Sequence, residues 1–71
     1  MNRYDRLAMA EFALERAAGL AREAEQHARS NDSRHKAAPL AAAGSLWADI
    51  ARTHTAIAAA LPEPKLEAGR G

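Results

Sequence analysis

Residues 40–61 read LAAAGSLWADIARTHTAIAAAL. Within this stretch Leu40, Ala43, Trp47, Ile50, His54, Ile57 and Leu61 follow one another at alternating spacings of three and four. That alternation marks a helix carrying an a/d seam. Gly44, Ala51 and Ala58 recur every seven positions along one side of the seam, and Leu46, Thr53 and Ala60 along the other. Between Ala37 and Leu61 only Asp49 and Arg52 carry a formal charge. A helix that is apolar or small around most of its circumference is expected to be covered around most of it.

The same alternation occurs earlier with smaller side chains: Leu7, Ala10, Leu14, Ala17, Ala21, Ala24 and Ala28. Ala13 and Leu20 widen that row on one side. The opposite arc is polar and holds Asp5, Glu11, Glu15, Arg22, Glu23, Gln26 and Arg29. Glu25 and Arg29 form a favourable i,i+4 pair with the glutamate N-terminal. Between the two rows lies Ser30-Asn31-Asp32-Ser33, a cluster of cap and turn formers. Pro39 suits the first turn of a second helix; an earlier start at Asp32 or Ser33 would make it a kink instead. Pro62 and Pro64 stop the helix after Leu61. The reading is therefore helix 1 over about 3–30, a turn over about 31–38, helix 2 over about 39–61, and a mobile polar tail from 62 to 71.

These elements imply an all-α, coiled-coil-like antiparallel hairpin occupying residues 1–61. With the turn near Arg34, Leu7 faces Leu61, Leu14 faces His54, Ala17 faces Ile50 and Ala21 faces Trp47, small against large. One helix covers only one side of helix 2. A second partner is needed, most simply a second copy, giving a homodimeric four-helix bundle with the second helices central. In that bundle Gly44, Ala51 and Ala58 would let two helix backbones approach. The expected self-association interface is Leu40, Gly44, Trp47, Ile50, Ala51, His54, Ile57, Ala58 and Leu61.

Composition narrows the function classes. Seventy-one residues make one small domain, marginal without staples or partners. There is no cysteine, hence no disulfide and no thiolate chemistry. Ten basic against nine acidic residues leave a formal net charge of +1, no global attraction for nucleic acid or an anionic membrane. The chain has no valine and is rich in alanine, which favours helix over strand. Its Ala/Arg/Gly bias suits a high-GC bacterial genome. The N-terminal MNRYDRLAMAEF has acidic residues and no apolar core, so it does not read as a signal peptide. Asp49, Arg52 and His54 interrupt the apolar stretch, which argues against a membrane span. A cytoplasmic protein is the expectation.

Few residues invite a chemical reading. His54 is the one polar rung of the ladder. A packing role, fixing register and oligomer state, is expected ahead of a pH switch, with Glu11 or Glu15 within reach. His27, His35 and His54 have no i,i+3 or i,i+4 mates of ligand type, so no metal site is expected. Trp47 reads as core and interface anchor together. Met9, Phe12 and Arg16 lie away from the first seam and form a possible second partner surface. Arg29, Arg34, His35 and Lys36 make the turn basic, a weak candidate for phosphate contact. No glycine-rich phosphate loop, nucleophile–base layout or H-E-x-x-H is present, so neither an enzyme nor a bound cofactor is expected. The Trp-x-Gly turn of small helical-hairpin secretion substrates is absent too: Trp47 lies inside helix 2, before Ala48 and Asp49. The sequence thus points to a small non-enzymatic interaction or oligomerisation module. The alternative is a small dimeric nucleic-acid-associated regulator using the basic turn.

Overall fold

Asn2 opens the first helix. Its side-chain oxygen accepts from the Asp5 amide at 2.8 Å, and the Asp5 carboxylate accepts from the Asn2 amide at 3.3 Å. This reciprocal capping box satisfies two amide donors that a helix start would leave open. The computed structural model describes residues 1–62 and contains two antiparallel helices, α1 (Arg3–Ala28) and α2 (Ala37–Ala60). A 3-10 turn over Arg34–Lys36 leads directly into α2. The tail assigned to 62–71 lies, apart from Pro62, outside the described residues.

The reversal between the helices is held by short-range bonds. Arg29 and Ser30 donate their amides to the Gln26 and His27 carbonyls. The His27 ring bonds the Ser33 hydroxyl at 2.8 Å through Nδ1, and Arg34 donates to the Asn31 side chain at 2.9 Å. α2 begins at Ala37, slightly earlier than the sequence implies. Pro39 is its third residue, where a missing N–H costs no helical bond. The helix runs on without interruption, so Pro39 is not a kink. Leu61 ends it in an extended conformation (φ −81°, ψ 149°), as the residue before a proline prefers.

The two helices meet on their smallest side chains. On α1 the buried residues are Ala10, Ala13, Ala17 and Ala24; on α2 they are Gly44, Ala51 and Ala58. Ala13 and Ala58 are each 1% exposed. At Gly44 the backbones come so close that an added Cβ would lie 3.4 Å from the Ala17 carbonyl oxygen and 3.4 Å from the Leu20 Cβ. No described residue buries a large side chain completely.

Two expectations are corrected here. Gly44, Ala51 and Ala58 do not form an outer strip for another molecule; they form α2's contact with α1. Of the ladder of large residues, Trp47 and His54 reach α1 at its edge, through Phe12, Arg16 and Arg6, while Ile50 stays exposed. The register differs as well. Arg6, rather than Leu14, stands at His54, and Phe12 stands at Trp47, where Ala21 was placed. The shift is about two turns of helix. Part of it follows from the reversal, which runs from the end of α1 at Ala28 to the start of α2 at Ala37 and so centres between Asp32 and Ser33 rather than on Arg34.

Candidate interaction surface

With the small residues turned inward, the ladder of α2 flanks the hairpin on one face. Trp47 and His54 lean toward the groove between the helices and are half-buried, as are Leu40, Ile57 and Leu61. Ile50 stands further out and is exposed. Leu46, next to the ladder, is 64% exposed. Helix periodicity brings Met9, Phe12, Arg16 and Leu20 of α1 to the same face. The Phe12 and Trp47 rings meet edge to face, centroids 5.9 Å apart at 78°. Quadrupole attraction favours this arrangement. The Arg16 guanidinium sits 5.4 Å from the Trp47 ring centroid, a cation–π contact. Met9, Phe12, Ala13, Trp47, Ile50 and His54 together line a shallow hollow. Phe12 itself remains 58% exposed.

Met9, Phe12 and Arg16 are therefore not a separate surface opposite the hairpin seam. They join Trp47, Ile50 and His54 in one apolar face. The α2 half of that face carries no charged residue. Asp49 and Arg52 point elsewhere and pair with each other across one turn.

His54 is bonded to neither Glu11 nor Glu15. Its Nδ1 accepts from Arg6 Nη1 at 3.2 Å. A guanidinium only donates, so this bond requires Nδ1 to be unprotonated, with the ring proton on Nε2. Arg6 is half-buried, and its Nε is buried with no hydrogen-bond partner among the described residues. The hydroxyls of Thr53 and Thr55, beside His54, bond back to the Asp49 and Ala51 carbonyls at 3.0 and 2.9 Å. They are satisfied within α2 and do not compete for the imidazole.

Arg6 was missed in the sequence. The signal was present: Arg6, Ala10, Ala13, Ala17, Leu20 and Ala24 follow a four-three alternation of their own. That row, rather than the one through Leu7 and Leu14, faces α2. Leu14 is left 60% exposed on the opposite face, where it lines a groove with Leu7, Ala48 and Thr55 between Glu11 and Arg52.

The basic residues at the turn are spread out rather than focused. Arg29 donates to Glu25 at 2.7 Å and Arg34 to Asn31, while His35 and Lys36 are exposed on the 3-10 turn. Among the described residues no three His, Asp or Glu side chains converge as a metal site would require, and no helix is long and apolar enough to cross a membrane. No protein-family model, curated protein or solved structure matches this chain.

Proposed function

We propose that this chain is a small non-enzymatic protein–protein interaction module that works by self-association, two hairpins meeting through their Trp47 faces to complete a four-helix bundle. One observation carries the reading. The hairpin buries alanines and a glycine, while Tyr4, Leu7, Met9, Phe12, Leu14, Leu46 and Ile50 remain exposed. Ordering a residue costs about 1–2 kcal/mol in backbone entropy alone, and a methyl side chain returns little on burial. A hairpin of this size with no large side chain fully buried needs a further apolar surface to be stable. Contiguous exposed apolar patches mark interaction sites. Here Trp47, Phe12 and Arg16 combine residue types enriched at binding hot spots.

The test is sedimentation velocity across the micromolar range, with helicity followed in parallel. A dimer whose dissociation is accompanied by loss of helix is expected. A fully helical monomer at roughly tens of micromolar would overturn the reading. The nucleic-acid reading draws no comparable support, since Arg29 and Arg34 are engaged by Glu25 and Asn31. Salt-sensitive binding of DNA or RNA at low ionic strength would restore it.

A further inference from the structure

We infer that the second copy docks antiparallel, α2 against α2, about a two-fold axis crossing the hairpin at the level of Phe12, Trp47 and Ile50. This rests on the self-association reading and adds to it the partner's orientation and register.

Charge selects which helix lies on which. On the exposed face, the α2 ladder from Leu40 through Trp47 and Ile50 to Ile57 has no charged rung of its own, whereas α1 contributes Arg16, against the Trp47 ring, and, in the groove, Arg6. Laying a second α2 on α1 would press leucine and isoleucine rungs onto guanidinium groups and strip their water, at a cost in desolvation. Laying it on α2 sets apolar rungs against apolar rungs and leaves Arg16 stacked on its own Trp47 ring.

The ladder is self-complementary in one direction only. Paired antiparallel about its middle, Trp47 stands opposite Ile50 of the second copy, and Leu40 opposite Ile57. Ala43 then stands opposite His54, so the smallest rung faces the imidazole already occupied by Arg6. Paired parallel, Trp47 would meet Trp47 and His54 would meet His54, crowding one layer and placing two Arg6–His54 pairs together.

The first helix agrees. The Phe12 and Trp47 rings lie 5.9 Å apart, at one level of the hairpin. A two-fold axis between Trp47 and Ile50 therefore also passes close to Phe12 and sets it beside its own copy. Each copy then offers the same patch to the other, as a closed two-fold interface demands. The size is adequate. α2 has 24 residues and is about 36 Å long, so two helices side by side present a face on the order of 700 Å². Each partner in a standard specific interface contributes roughly 800 Å².

The chain has no cysteine, so disulfide trapping reads the register directly. Leu46 and Thr53 are exposed and lie along the outer edge of the ladder, on either side of its midpoint. Leu46→Cys and Thr53→Cys proteins, one carrying a mass tag, are mixed and oxidised. Excess of the mixed disulfide over both self-disulfides is expected. Pro39→Cys mixed with Ala60→Cys reads the same register further out, and serves if either inner variant fails to fold. Self-disulfides dominating in both mixtures would mean parallel pairing and overturn the proposal. A dimer mass with no disulfide in either mixture would place the contact on another face, overturning the docking while self-association stands. A helical monomer would overturn both.

Discussion

At the scale of single residues, Arg6 and His54 behave as a unit. The guanidinium is held in the helix–helix groove by one ring nitrogen, and its Nε has no hydrogen-bond partner among the described residues. Judged from the ladder alone, His54→Leu should be neutral or stabilising, since a polar rung becomes apolar. The bond from Arg6 reverses that expectation. Removing only the acceptor leaves a half-buried cation unanswered, at a cost of about 1–3 kcal/mol. The double variant Arg6→Leu/His54→Leu removes both groups and should be more stable than either single variant, with a coupling of about 0.5–3 kcal/mol in the cycle. Urea unfolding followed by circular dichroism measures all four corners; additive single effects would show that the pair is independent. Gly19 offers a simpler case. An added Cβ there meets nothing nearer than Arg22 Nη2 at 4.0 Å. Gly19→Ala should therefore stabilise by nearly the full helix-propensity difference of about 1 kcal/mol, seen as a raised melting temperature.

At the scale of the helices, the reversal and the end of α2 were legible because they are written in local chemistry: the Ser-Asn-Asp-Ser turn, Pro39 and Pro62; the Asn2–Asp5 capping box that opens α1 was not read from the sequence. The seven-rung ladder and the place of Trp47 in it were legible for the same reason. Which stripe faces inward was not. Large rungs and small rungs are neighbours on α2, and burying the larger side chains is the usual outcome. Here α1 offers Ala10, Ala13, Ala17 and Ala24 in a row, and small residues on both helices allow an approach that large ones would block. That choice depends on both helices at once, so no pattern within α2 announces it. Two substitutions separate the stripes. Gly44→Leu drives a side chain into the Ala17 backbone and should cost about 1–3 kcal/mol in hairpin stability, seen as a lowered urea midpoint. Trp47→Ala should keep the alanine–glycine seam, lose the Phe12 and Arg16 contacts, and weaken association by about 2–4 kcal/mol, read by sedimentation at a concentration where helicity matches the parent chain. If Trp47→Ala associates as well as the parent chain does, this face is not the interface.

At the scale of the whole molecule, folding and association should be one transition. The thermal midpoint should rise with protein concentration, as it does whenever the native state is an oligomer and the unfolded state a single chain. A midpoint that stays constant over a hundredfold range, roughly 1–100 μM, would mean that the hairpin stands alone. The inner seam of alanines has one more consequence. Alanine has no rotamers to lose, so closing the hairpin freezes backbone and almost no side-chain freedom. Residues with many rotamers, Met9 and Leu46 among them, sit on the outside and would be ordered only by a second surface. On the self-association proposal, much of the ordering entropy of these outer side chains would be deferred from chain closure to encounter. A lone hairpin should open and close readily, exchanging its amide hydrogens quickly, and become slow to exchange only once it is paired.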